Sequence, residues 1–175
     1  MNTKHLTIAA LSAALALSAC GPKAPEDLPP PPGSDIGSGQ TGDGYNDGTI
    51  GGAVIPGSRA DFLQSVPSDR IFFALDDYAV DGEDRMTLDA QAEWLMRNPN
   101  VTVTIEGHAD ERGTREYNLG LGDRRANAAK NYLQSRGVPA SRMTVVSWGK
   151  ERPVALGSDE SAWAQNRRAV TVIPQ

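Results

Sequence analysis

The sequence predicts an α/β sandwich in the order βαβαβαβ, with one sheet of about four strands and helices packed on it, preceded by a disordered tether. Two observations predict this class. Stretches of strand and helix character alternate from about residue 58 onwards, and such alternation favours a sheet covered by helices. The preceding segment is rich in proline and glycine and too poor in apolar residues to form a core. We therefore divide the 175 residues into segments 1–19, 20–57 and 58–175.

The first segment is predicted to be an export signal. Lys4 precedes an apolar run from Leu6 to Leu17, which is too short to cross a bilayer as a permanent helix. Small residues then lead into Cys20, the single cysteine of the sequence. This layout resembles the bacterial lipobox, in which the signal is removed before a cysteine that becomes lipidated. The alternative, an ordinary cleavage site, would leave an unpaired thiol in an exported chain.

Lipidation at Cys20 predicts a membrane anchor without a transmembrane helix, because two or more acyl chains hold a protein stably at a bilayer. Gly21 follows the cysteine where many lipoproteins retained in the inner membrane carry an aspartate, so we expect the outer membrane. Residues 20–57 would then form the tether. Its start, with Pro29 to Pro32 in a row, favours polyproline II, and the glycine-rich remainder favours flexible chain with a total reach of roughly 35 Å.

The first half of residues 58–175 is predicted to contain two helices and two strands. Ser58 is a candidate cap for a short helix, and IFFAL, from Ile71 to Leu75, has the character of a buried strand. VTVTIEG, from Val101 to Gly107, alternates apolar and polar residues as a strand does. Between the strands, MTLDAQAEWLMRN predicts a helix that ends at Asn98-Pro99, with core positions at Leu88, Ala92, Leu95 and Met96.

The second half is predicted to begin with a long helix from about Thr114 to Arg136. Gly137 and Pro139 follow it in positions suited to stopping a helix. After it, MTVVSWG predicts a strand, SDESAWAQNRR a helix and AVTVI a last strand.

The long helix carries an arginine on its apolar side. A rotation of about 100° per residue places one set of mostly apolar or small residues on a single face, namely Leu121, Gly122, Ala126, Ala128, Ala129, Tyr132 and Leu133. Arg125 falls near the middle of this face, with Asn118 two turns before it on nearly the same line. A guanidinium directed toward the sheet cannot remain unpaired. The candidate partner is Asp110, on the loop that joins the preceding strand to this helix.

Two interpretations of this arginine and acid remain open. In the first, Asp110 and Arg125 form a buried ion pair that only holds the loop to the helix. In the second, small residues around them leave room for a ligand that carries both charges. Arginine can bind a carboxylate with two parallel N–H bonds, and a carboxylate can accept an ammonium. The matching ligand is the zwitterionic end of an amino acid.

The segment TVTIEGHADERGTREYNLGLGDRRANAAKNYL resembles the signature of the OmpA-like peptidoglycan-binding domain. The flanks IFFALDDY, MTVVSWGKERPVALG and WAQNRRAV are similar to those of the peptidoglycan-associated lipoprotein family. The resemblance implies non-covalent binding of peptidoglycan at the diaminopimelate residue of its peptide stem, by Asp110 and Arg125. Asn118 and Leu121 occupy further matching positions.

One position departs from the family pattern. The first strand of the family usually reads F-D-x-D, and this chain has Phe73-Ala74-Leu75-Asp76. In relatives the first aspartate lies beside the ligand, so Phe73 and Ala74 belong to the expected binding site. Because alanine replaces that aspartate, one polar contact is lost. We therefore expect a difference in affinity or in stem preference.

The resemblance also implies protein partners. Glu111 and Arg112 are predicted on the exposed side of the loop, either as a solvated charge cluster or as a contact surface. Members of this family bind TolB, among the Tol proteins, through this general surface and in competition with peptidoglycan. The expected function is to link the outer membrane to the cell wall within a Tol-Pal system and to assist constriction at division. The alternative is a purely structural envelope lipoprotein without direct wall binding.

Composition and motifs argue against nucleic-acid binding, metal binding and catalysis. The chain has 17 Lys and Arg against 22 Asp and Glu, whereas nucleic acid requires a basic face. The sequence has no G-x-S-x-G motif whose serine could act with His108 in nucleophilic catalysis. It also has no neighbouring His or Cys residues that could bind zinc together with His108. We expect His108 to have a structural role or to form hydrogen bonds at the ligand rim, and we expect no cofactor.

Overall fold

The computed structural model describes residues 49–50 and 53–174, so the predicted export signal, Cys20 and most of the predicted tether lie outside the described residues. Two short strands, β1 (Thr49–Ile50) and β2 (Ala53–Val54), pair antiparallel. The elements that follow are α1 (Arg59–Ser65), β3 (Arg70–Phe72), α2 (Gly82–Arg97), β4 (Val103–His108), α3 (Arg115–Ser135), a 3-10 turn (Ala140–Arg142), β5 (Met143–Gly149), α4 (Glu160–Asn166) and β6 (Arg168–Val172).

The main sheet has four strands in the order β3-β6-β4-β5. Strands β4 and β5 run parallel, and β6 runs antiparallel to both of its neighbours, β3 and β4. Helix α3 packs against β4 and β5, and α2 packs against α3 and β3. From β3 to β6 the elements alternate as βαβαβαβ, so the predicted fold class is confirmed.

Local signals explain where the helices begin and end. Ser58 and Thr114 cap α1 and α3, because each side chain accepts a hydrogen bond from the backbone N–H three residues later. Helix α3 stops where Gly137 adopts a φ of 98°, a conformation that favours glycine. Helix α2 begins earlier than its apolar pattern indicates, because Asp81 caps it in the same way as Ser58 caps α1.

The structure differs from two of the predictions, which concern the end of the first strand and the core residues of α2. The first strand of the sheet ends at Phe72 and does not reach Leu75, because its partner strand β6 begins at Arg168, directly opposite Phe72. Met96 is 52% exposed and is not a core residue. The buried positions on that helix include Gln91 and Trp94 in addition to the predicted Leu88, Ala92 and Leu95.

Strand β4 and helix α3 are in backbone contact at two glycines. A β-carbon on Gly107 would overlap the carbonyl oxygen of Gly122 and would lie 2.6 Å from its carbonyl carbon. It would also lie 3.1 Å from the β-carbon of Ala126. This contact sets the distance between β4, whose end leads into the loop of Asp110, and the part of α3 that carries Arg125.

None of the helices within residues 53–174 combines the length and the apolar content that a bilayer span requires.

Candidate functional site

A cleft of about 360 Å³ brings together four of the residues that the sequence indicates as ligand-binding. Asp110, Asn118, Leu121 and Arg125 line it together. The other lining residues come from the segment after β3 and from the β4–α3 loop and the first turn of α3: Leu75, Asp76, Arg112, Gly113 and Tyr117. The cleft therefore lies where the carboxyl end of β4 meets the amino end of α3.

Arg125 is fully buried and is held by backbone carbonyls. Its Nε donates to the carbonyl of Asp77 at 2.8 Å, one terminal nitrogen to His108 at 2.8 Å and the other to Ala74 at 3.1 Å. Its guanidinium also lies 5.2 Å from the centre of the Phe73 ring. Burial, followed by the nearby charge of Arg167, lowers the pKa of Arg125 to about 10. The side chain is therefore still a cation at neutral pH.

The ion pair between Asp110 and Arg125 that the first interpretation requires is not formed. The Asp110 carboxylate accepts from the backbone N–H of Arg112 at 3.1 Å and from its guanidinium at 3.1 and 2.6 Å. Arg167 lies 3.6 Å from the same carboxylate. Arg112 can reach Asp110 because it lies only two residues along the same loop, whereas the carbonyl bonds hold Arg125 elsewhere. Asp110 and Arg125 thus border one cleft without forming a direct ion pair.

Asp110 remains ionised although it is buried. Burial alone would raise the pKa of its carboxyl, but the hydrogen bonds from Arg112 and the charges of Arg112 and Arg167 outweigh burial, and the pKa lies below its ordinary value. Since Asp110 is only 6% exposed, its interactions are less screened by solvent than those of a surface acid. The cleft therefore contains a buried anion and a buried cation.

The other predicted site residues occupy different surroundings. Asn118 is buried and donates to the carbonyl of Arg112 at 2.7 Å, which holds the loop at the mouth of the cleft. Phe73 is buried beneath Arg125 and does not line the cleft, and Ala74 contributes its carbonyl rather than its exposed side chain. Glu111 is exposed, as predicted, and accepts from the indole N–H of Trp163 at 3.0 Å.

Arg112 does not lie simply on the exposed side of the loop as the sequence predicts. Its side chain is 34% exposed. The guanidinium turns inward to Asp110 and lies 4.0 Å from the centre of the Trp163 ring. The predicted pair of exposed charges, Glu111 and Arg112, is thus divided between an outer surface and the cleft.

Sequence reasoning misses Arg167, although the signal for it resembles the one that identifies Arg125. Arg167 is 6% exposed, and its Nε donates to the carbonyl of Phe73 at 2.9 Å. Its Nη2 donates to Glu160 at 2.7 Å. An arginine between a helix and a strand of apolar character is as anomalous as one on an apolar helix face. Tyr117, whose hydroxyl donates to Asp76, is missed as well and has no comparable signal.

A larger depression of about 500 Å³ lies beside α2, away from this cleft. Its charged residues include Asp89 and Arg136, which neutralise each other through two hydrogen bonds at 2.6 and 2.7 Å. Both side chains are substantially exposed. The depression therefore presents neither the buried charge nor the converging polar groups that distinguish the smaller cleft.

His108 is buried as a neutral ring. It is 1% exposed, and neither ring nitrogen has a hydrogen-bond partner among the described residues, so the expected rim hydrogen bond is not observed. Burial and the charges of Arg168, Arg152 and Arg70 lower its pKa to about 3. Its 3.6 Å contact with Glu106 is therefore not an ion pair. No cluster of metal-ligating side chains occurs within residues 53–174.

The neutral ring of His108 predicts a loss of stability in mild acid. Its folded-state pKa lies below the ordinary value of 6.5, so the unfolded chain takes up the proton first and stability falls as the pH drops below about 6.5. Between pH 7.5 and 5 the expected loss is about 2 kcal/mol. Urea unfolding of the wild type and of His108→Leu at both pH values measures it. Equal losses in the two proteins would contradict the assignment.

The sequence and the fold of this chain are similar to those of known proteins. The OmpA family model matches residues 72–167. The chain is 59% identical over 122 residues to the peptidoglycan-associated lipoprotein of Rhizobium meliloti strain 1021, covering 70% of this chain and 69% of the relative. It is 49% identical over 170 residues to that of Agrobacterium fabrum strain C58, covering 97% and 88%. The crystal structure of the peptidoglycan-associated lipoprotein from Burkholderia pseudomallei matches with 45% identity and a TM-score of 0.60, covering 61% of this chain and 91% of that one.

Proposed function

This chain belongs to the OmpA family and, within it, to the peptidoglycan-associated lipoproteins, and we propose that it links the outer membrane to the cell wall. It would do so by binding peptidoglycan non-covalently through the Asp110–Arg125 cleft. The role is one of binding and not of catalysis. The names of the similar proteins support the class of ligand, and the charges of the cleft support the place where it binds.

A single observation carries the assignment of the site. Arg125 is fully buried at the cleft, yet no carboxylate among the described residues lies within ion-pair distance of it. Backbone carbonyls orient the guanidinium but bring no formal negative charge. A buried cation that no carboxylate contacts directly is costly, and the charges of Asp110, Asp77 and Asp76 act on it only from farther away. A ligand carboxylate bound in the cleft would supply the missing charge.

The proposed ligand group is the diaminopimelate residue of the peptide stem. Its free end carries an ammonium and a carboxylate on the same carbon, which match the Asp110 carboxylate and the Arg125 guanidinium. Asn118 would hold the loop in place, and Leu121 would contact the apolar part of the ligand. Phe73 and Ala74 would act through Arg125, because the ring packs against its guanidinium and the carbonyl accepts from it.

We further propose a location and protein partners for this chain. Lipidation at Cys20 would anchor the chain in the outer membrane, facing the periplasm, and the proline- and glycine-rich segment would let the folded part reach the wall. Glu111 and Arg112 would contribute to a surface for TolB within a Tol-Pal system that supports constriction at division. Because Arg112 also lines the cleft, TolB and peptidoglycan would compete for the same region.

Replacement of Asp110 with Asn should weaken wall binding at least about tenfold, because the amide cannot form a charge-assisted bond to the ligand ammonium. The measurement is the fraction of protein retained by purified peptidoglycan sacculi. Asp89→Asn is the matched control, since it neutralises an exposed carboxylate outside the cleft. Undiminished retention of Asp110→Asn would refute the site. Retention by none of the proteins would favour a purely structural lipoprotein, and release of soluble muropeptides would indicate a hydrolase.

A further inference from the structure

Asp110 already has a cationic partner in the cleft. Arg112 binds it through Nε at 3.1 Å and through Nη2 at 2.6 Å, so one guanidinium engages both carboxylate oxygens. A ligand ammonium that approaches Asp110 therefore meets a carboxylate that is already neutralised. Since Asp110 is 6% exposed, there is little free surface on which a second cation could bind beside the first.

The Arg112 guanidinium also lies near a second carboxylate and an aromatic ring. Its Nη1 lies 3.9 Å from the Glu160 carboxylate, and its guanidinium already lies over the Trp163 ring at 4.0 Å. Glu160 is 65% exposed and already accepts from Arg167 through Oε1 at 2.7 Å, which leaves Oε2 for Arg112. If Arg112 leaves Asp110, it can keep its aromatic contact and move closer to the Glu160 carboxylate that it already faces. A small movement of one side chain thus removes one guanidinium from Asp110, which keeps the backbone N–H of Arg112 and the charge of Arg167 at 3.6 Å.

We propose that Arg112 determines the specificity of the cleft. In the free protein its guanidinium occupies Asp110. A bound ligand displaces Arg112 toward Glu160, because the ligand ammonium takes its place on Asp110 while the ligand carboxylate binds Arg125. This inference rests on the proposed function of the cleft and adds the group that the ligand must replace. A ligand without the ammonium leaves Arg112 on Asp110. A lone cation without a carboxylate gains nothing from Arg125 and does not compete effectively with Arg112.

The test compares two soluble stem peptides that end in diaminopimelate, one with its free side-chain amine and one with that amine acetylated. Calorimetry on the full chain gives the affinity of each. In Arg112→Gln, the free-amine peptide should bind about threefold to tenfold more tightly than in the wild type, because it no longer displaces a guanidinium. The acetylated peptide should bind equally to both proteins.

Two further variants separate this role from a general effect of charge or structure. Arg115→Gln removes an equally charged but exposed side chain at the start of α3 and should leave both affinities unchanged. Glu160→Gln removes the second acidic partner of Arg112 and should weaken only the free-amine peptide. Because Glu160 also binds Arg167, the control is the same change in Arg112→Gln, where no guanidinium is displaced and both affinities should stay unchanged. Circular dichroism checks that each variant is folded.

The outcomes distinguish this proposal from the one on which it rests. If Arg112→Gln weakens both peptides, Arg112 contacts the ligand directly and the displacement is wrong. If its affinities equal those of the wild type, Arg112 does not compete, although the cleft still binds the stem. If neither peptide binds the wild type or Arg112→Gln, the proposed function itself fails.

Discussion

Replacing Arg125 with Leu should cost the protein on the order of 3–5 kcal/mol of stability and should also abolish its retention by peptidoglycan. The guanidinium donates to the carbonyls of Ala74, Asp77 and His108. Leucine would leave these carbonyls without their donor, and each buried acceptor that loses its partner is destabilising. Urea unfolding followed by circular dichroism measures the stability, and the sacculus pull-down measures binding.

A lysine at position 125 separates the two effects. It keeps the positive charge but lacks the planar fork that bonds several acceptors at once, so Arg125→Lys should retain more stability than Arg125→Leu and still bind the wall weakly. Arg136→Leu is the control in the same chain, because that arginine is exposed and pairs only at the surface. It should change stability by less than about 1 kcal/mol. Full stability of Arg125→Leu would show that its carbonyl bonds are dispensable.

Replacing Gly107 with Ala should destabilise the domain by more than about 4 kcal/mol or prevent folding altogether. The added β-carbon would overlap the backbone carbonyl of Gly122. Backbone on a packed helix cannot move aside as the end of a flexible side chain can. Relief of the overlap would require α3 to move away from β4, which would disturb the packing of the core and the spacing of the cleft. Thermal and urea unfolding measure the effect.

Helix α3 offers a matched glycine control. A β-carbon on Gly120 would have its nearest neighbour, Nη1 of Arg124, at 3.7 Å, which is an ordinary contact. Alanine is a better helix former than glycine, so Gly120→Ala should stabilise the protein by about 0.5–1 kcal/mol. The two alanine substitutions should therefore have opposite signs. A stable Gly107→Ala protein would mean that β4 and α3 do not approach as closely as described.

Most of the fold could be predicted from the sequence because its signals act over a few residues. Thr114 and Gly137 lie at the ends of α3 and determine its limits through capping and backbone conformation. The strand patterns locate β4, β5 and β6 to within about two residues, which is ordinary for element boundaries. The end of β3 could not be predicted in this way. It depends on where β6 begins, almost one hundred residues later in the chain.

The sequence by itself determined the alternation of strands and helices, the family, and the unusual position of Arg125 on an apolar helix face. Only the tertiary structure decided which groups satisfy the charges of the cleft. Arg125 bonds to carbonyls 48 and 51 residues earlier, and Arg112 takes the place on Asp110 that the sequence indicated for Arg125. The physical reason is that periodicity shows which side chains are buried, whereas a hydrogen bond depends on distances between segments that only the folded chain brings together.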